Sequence, residues 1–106
     1  MEYIAVRSGK ETAYILPSEM EAIVMKPAIY PVPGGSRDIL GISIYKGRLV
    51  AYYGIRKITD CSCGIILRSG ENDGILRGIA AETADMENID EELLEERLPG
   101  VWGRKM

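Results

Sequence analysis

Between Pro31 and Ile55 the chain carries two runs of β-forming residues around a Lys46-Gly47 turn. Ile39-Leu40-Gly41-Ile42-Ser43-Ile44-Tyr45 precedes the turn, and Arg48-Leu49-Val50-Ala51-Tyr52-Tyr53-Gly54-Ile55 follows it. A tight hairpin turn needs positive φ, which glycine supplies without steric cost. Pro31-Val32-Pro33-Gly34-Gly35 lies upstream, and proline cannot donate to a ladder, so this stretch marks a bend into a sheet. A β-hairpin entered from a Pro-Gly loop is therefore the fixed point for the remainder of the chain.

Tyr3–Val6 and Thr12–Leu16 are β-prone runs separated by Ser8-Gly9-Lys10-Glu11, so residues 3–16 predict a first hairpin. Ser18 and Glu21 have capping-box spacing, and Met20, Ile23 and Val24 fall at i, i+3 and i+4. That pattern predicts a short helix from about Glu19 to Met25, ended by Pro27, which pushes its predecessor out of the helical region. Ala28–Val32 reads as extended, Arg56–Gly64 as a polar loop and Ile65–Arg68 as a strand. Ser69-Gly70-Glu71-Asn72-Asp73-Gly74 is the strongest turn signal, and Ile75–Ala81 is its returning strand.

From Glu82 to Arg97 there are eight acidic residues against one basic residue. Ile89, Leu93 and Leu94 give this stretch a thin apolar stripe. Asn88 with Glu91, or Asp90 with an Ile89–Leu94 staple, would cap it. The segment 82–98 therefore predicts an acidic helix ended by Pro99-Gly100. Val101-Trp102 reads as a brief strand, and Gly103–Met106 as a frayed basic end. Many short strands, tight turns and minor helices indicate a mainly β, barrel-like fold in one domain, 1–106.

Composition narrows the function. The chain has 106 residues, is 46 % hydrophobic and carries a net charge of −3. Nucleic-acid binding through the backbone calls for a basic face, so the acidity argues against it. There is no histidine, which removes the commonest general base, the commonest zinc ligand and every Ser-His or Cys-His pair. Cys61 and Cys63 are too close for an unstrained bridge and too few for a structural zinc site. Two reduced thiols, no cofactor and no metal are expected. No signal peptide or membrane-spanning run is read, so a cytoplasmic location is expected.

The order of these pieces resembles the CheW-like domains of bacterial chemotaxis. The likeness runs from about Tyr3 to Ala84: opening hairpin, short helix, Pro loop, central hairpin. Where the family has Val-x-Glu-Ile, this chain has Met20-Glu21-Ala22-Ile23, with Ala22 at the acidic position. The family's Asn-Leu-Arg-Gly turn is similar to Ile44-Tyr45-Lys46-Gly47, so its contact arginine falls on Lys46, which keeps the charge and loses the planar fork. Val50–Ile55 lacks the Pro and the Asp of the family's next strand. Gly78-Ile79-Ala80-Ala81-Glu82-Thr83-Ala84 resembles a later Gly-Leu-Val-Val-Asp-x-Val pattern, with Glu82 for Asp and Ala84 for Val.

The resemblance implies two SH3-like five-stranded β-barrels with a groove between them. The family pattern has a further strand pair beyond the position of Val101-Trp102, so the second barrel is expected to be incomplete. Its open edge is expected to be covered by a second copy, a swapped segment or the acidic helix. The implied function is a non-enzymatic adaptor in signal transduction. It would bridge methyl-accepting chemoreceptors and the regulatory domain of the CheA-type histidine kinase. Met20, Ile23, Tyr45, Lys46 and Tyr52 are the candidate partner-binding residues. Met20 and Ile23 equally fit a buried helical stripe, Tyr45 and Tyr52 a sheet cover, and Lys46 a solvated turn.

Two other readings remain open on residues alone. A ligand-binding barrel, for a small molecule or nucleic acid, would use Tyr45, Tyr52 and Tyr53 beside Lys46, Arg48, Arg56 and Lys57. An enzyme would have to use Glu82 with Asp85, at the head of a run better explained as solvated surface.

Overall fold

A computed structural model describes residues 1–32, 39–54, 62–68 and 74–105. Ten strands form two five-stranded sheets. The first hairpin is β1 (Glu2–Ser8) and β2 (Glu11–Ile15). The chain then crosses to the second sheet through β3 (Met20–Met25), β4 (Ile39–Tyr45), β5 (Arg48–Gly54), β6 (Cys63–Leu67) and β7 (Leu76–Ala81). It returns to the first sheet in β8 (Thr83–Asn88), β9 (Leu94–Leu98) and β10 (Val101–Arg104). The spatial orders are β8-β1-β2-β10-β9 and β3-β6-β7-β5-β4. No ladder among the described residues closes either order into a ring.

The opening and central hairpins form where turn chemistry puts them. Ile4 faces Ile15 and Ser8 faces Glu11, while Ser43 faces Val50 and Tyr45 faces Arg48. Lys46 and Gly47 both have positive φ, 48° and 78°, which suits a two-residue turn to the right-handed twist of its strands. Pairing of β5 with β7 is parallel, a long-range contact that no local signal announces.

Two helices expected from the sequence are strands. Over Glu19–Met25 the chain makes one 3-10 turn, Pro17–Glu19, and then β3. The Ser18–Glu21 box does not form, since Leu16 is the N-cap and offers no side-chain bond. A seven-residue helix would leave most of its amide groups unpaired, whereas β3 finds a ladder on β6, Ile23 opposite Ile65 and Met25 opposite Cys63. Exposure alternates along β3, with Met20, Ala22 and Val24 turned inward.

The acidic segment 82–98 likewise becomes β8, a 3-10 turn (Glu91–Leu93) and β9. β8 gains six registered pairs on β1, from Glu2 opposite Asn88 to Arg7 opposite Thr83. Both acidic strands lie at the edges of the first sheet, where charge is compatible with solvent and discourages edge pairing. Asp90 does cap its turn, accepting from the Glu92 amide at 3.0 Å, and Ile89 and Leu94 share one buried cluster. Asn88 instead accepts from the N-terminal ammonium of Met1. So the segment does not fold over an open edge; it supplies the strands that bring the first sheet to five.

Smaller differences follow. β6 begins at Cys63 rather than Ile65 and ends before Arg68. Gly103 and Arg104 are strand, and the Lys105 amide donates to Leu93 O, so the end is ordered to that point. Cys63 is buried, its Sγ donating to Ala81 O at 3.6 Å. The expectations for Pro33–Gly35, Ile55–Cys61 and Ser69–Asp73 lie outside the described residues.

The core is layered. Ile4, Val6, Ala13, Ile15 and Val101 of the first sheet meet Cys63, Ile65, Leu67, Ile79 and Ala81 of the second. The far face of the first sheet holds Tyr3, Ala5, Tyr14, Ile89 and Leu94. The far face of the second holds Val50, Tyr52, Ile66, Leu76 and Ala80. β1, β6 and β7 are thus covered on both faces, which explains their unbroken apolar runs.

Candidate protein-interaction surfaces

Five residues were expected at a partner surface, and the fold distributes them. Tyr52 is 1 % exposed and belongs to the core, where its ring lies over Gly64 and Gly78. It presents nothing to a partner, which corrects the expectation. A large aromatic flanked by two glycines is the signal of a filled interior, since only a missing Cβ leaves room for the ring.

Met20 is half-buried against the inter-sheet cluster, and its carbonyl accepts from Arg68 Nε at 2.9 Å. Ile23, two pairs further along the β3–β6 ladder, points the other way and is 45 % exposed. The two do not share a face, as helical spacing would have required. Met25 extends the exposed row at 70 %.

Tyr45 and Lys46 stand at the tip of the β4–β5 hairpin. Tyr45 is half-buried and packs on the far cluster of the second sheet. Lys46 Nζ sits 5.4 Å from the Tyr45 ring centroid, within cation–π range. Because β3 and β4 are opposite edges of the sheet order, Ile23 and Lys46 lie on different edges. Ala22 and Val24 of β3, and Leu40 and Tyr45 of β4, nevertheless pack on the same cluster, so both edges bend over one core.

Sequence reasoning missed an exposed apolar pair on the central hairpin. Ile44 and Leu49 are registered partners beside the turn, 71 % and 44 % exposed. Registered partners project from one face, so they form a single ridge. Ile42 continues it, and Tyr30 joins by a two-way bridge, donating to Ile42 O at 2.8 Å and accepting from its amide at 2.9 Å. Alternation within β4 would have separated Ile44 from the inward Ser43 and Tyr45. Glu82 and Asp85, the carboxylates weighed for catalysis, are both exposed at the start of β8.

No protein-family model matches the chain, and no curated protein matches it. Among solved structures, it is similar to the scaffolding protein TtCheW from Thermoanaerobacter tengcongensis, with a TM-score of 0.67. The match covers 89 % of this chain and 68 % of that one at 18 % sequence identity. The fold is therefore CheW-like, and the sequence is divergent. No helix among the described residues is long and apolar enough to cross a membrane.

Proposed function

We propose that this chain is a non-enzymatic adaptor of bacterial chemotaxis, working in the cytoplasm through protein–protein contacts. It couples a methyl-accepting chemoreceptor to the regulatory domain of a CheA-type histidine kinase. The observation that carries this reading is the likeness of 89 % of the chain to a scaffolding protein. The exposed rows on β3 and on the β4–β5 hairpin add support, since apolar side chains left in water beside a cation are what a partner face requires.

Ile23, Tyr45 and Lys46 are the contact residues of this proposal, with Met20 as the packing residue behind β3. Ile44 and Leu49 join them. Calorimetric titration with the kinase regulatory domain tests it. Saturable one-to-one binding is expected, weakened at least about tenfold by Ile23→Lys or Ile44→Lys, because a charge then enters a desolvated contact. Both side chains are exposed, so both variants keep the fold. Absence of heat and of co-elution with kinase and receptor alike would leave the fold without this role.

A further inference from the structure

A cavity of about 680 Å³ opens where β2 and β10 part company. Their ladder has a single registered pair, Trp102 opposite Tyr14. Yet β1–β2 continues to Ser8 and Glu11, and β9–β10 continues to Arg104 and Leu94. Glu11–Ala13 and Gly103–Lys105 therefore run on as the two walls of a slot, and both walls line the cavity. The end of β5 and Ile79 of β7 form its floor on the side of the second sheet.

Charge in this slot runs against the chain. Arg7, Lys10, Arg97, Arg104 and Lys105 line it, against the carboxylates Glu11 and Glu87. Glu87 is already held by Arg7, and Arg97 is turned to Glu95 at 3.2 Å and to Arg104 O at 2.7 Å. Arg104 Nε donates to Tyr14 Oη at 3.4 Å and also feels the charge of Glu87. The ammonium groups of Lys10 and Lys105 have no partner among the described residues. In a chain with 16 acidic and 13 basic side chains, five cations and only two carboxylates line this slot, a local excess of positive charge. Gathering like charges is unfavourable unless an anion from outside compensates them.

We propose that this slot binds an extended acidic peptide segment of a partner protein, with acidic and apolar side chains in alternation. Three features select that occupant. The volume lies in the range of ligand sites. Ala13, Tyr53, Ile79 and Val101 give the cationic slot an apolar floor, so one face of a strand meets charge and the other meets carbon. The walls leave their shared ladder beyond Trp102 and Tyr14, which suits β-strand addition at main-chain groups other than Arg104 O, which Arg97 holds. The proposal rests on the adaptor reading only in taking the ligand to be protein.

Trp102 is the chain's one tryptophan and lines the slot, so its fluorescence reports occupancy. The probe is a capped hexapeptide of alternating Glu and Leu. A saturable spectral change is expected. It should weaken about tenfold in the Lys10→Glu/Lys105→Glu double variant and fall steeply with added salt. Both lysines are exposed, so circular dichroism of the double variant should be unchanged. The salt dependence of the parent chain gives the same information without any variant. An equal response to a Lys-Leu hexapeptide overturns the assignment, as does a response to tripolyphosphate with none to the peptide. The titration contains neither kinase nor receptor. A silent peptide beside intact kinase binding removes the slot and spares the adaptor; the reverse result does the opposite.

Discussion

Tyr52 shows how one side chain fixes its surroundings. A Cβ on Gly64 would lie 2.5 Å from its ring, and one on Gly78 would lie 2.7 Å from it. The ring therefore occupies the volume of two absent methyl groups, across β6 and β7. Gly78→Ala is expected to cost about 1–3 kcal/mol, because a filled core cannot yield that space without shifting backbone or rotamer. Denaturant midpoints measure it. Tyr52→Val combined with Gly78→Ala should cost less than the sum of the two single changes, since the first makes room for the second. Strict additivity would mean that the ring and the glycine do not share a cavity.

Tyr3 carries a pH effect at the same scale. It is buried, stacked edge-to-face on Tyr14 at 6.3 Å, and burial followed by the nearby Glu91 charge raises its pKa above the usual 10.0. The folded state then holds this proton more tightly than the unfolded chain does. Its contribution is complete below pH 10 and is lost as pH rises from there through the raised value. Stability against pH should bend downward above about pH 10, and Tyr3→Phe should remove part of that bend. An unchanged profile in Tyr3→Phe would assign the loss to other groups.

At the scale of the element, β3 separates two readings of one pattern. Met20, Ile23 and Val24 fit i, i+3, i+4 as well as they fit a strand with a bulge after Met20. A helix would bury Ile23 and Val24 together; the strand sends Ile23 to solvent and Val24 to the far cluster. Ile23→Lys should then leave the denaturation midpoint nearly unmoved. Val24→Lys should cost about 2–4 kcal/mol through an unpaired charge turned toward the core. Equal losses at both positions would restore the helix.

The hairpins were legible because Gly9 and Lys46-Gly47 impose backbone angles that few other structures use. The acidic strands were not. Charge on an edge strand and charge on a solvated helix face look alike in sequence, and Asp90 caps a single 3-10 turn as readily as a long helix. Lys46 was legible as a turn residue, and Tyr52 was not legible as core, because its place depends on glycines 12 and 26 residues away. The slot between β2 and β10 depends on where a ladder stops, which no local pattern records.

At the scale of the molecule, the chain path ties the two sheets into one unit. The first sheet takes β1 and β2 from one end of the sequence and β8–β10 from the other, while all of the second sheet lies between. β7 runs into β8 across Glu82, whose amide donates to Arg7 O in β1. Neither sheet keeps its covered face without its neighbour, since Ile4, Val6 and Ile15 are buried against Ile65, Leu67 and Ile79. Unfolding should therefore be a single transition. Trp102 fluorescence, which reports the first sheet, and hydrogen exchange of β5 and β7 amides, which reports the second, should give the same free energy. Ile65→Ala is fully buried on β6 and should lower both by the same amount, about 2–5 kcal/mol. If the fluorescence transition stayed in place while β5 and β7 opened early, the sheets would be separate folding units. The inter-sheet cluster would then be a docking contact between them, and a partner could act by prising the sheets apart rather than by gripping an exterior that stays rigid.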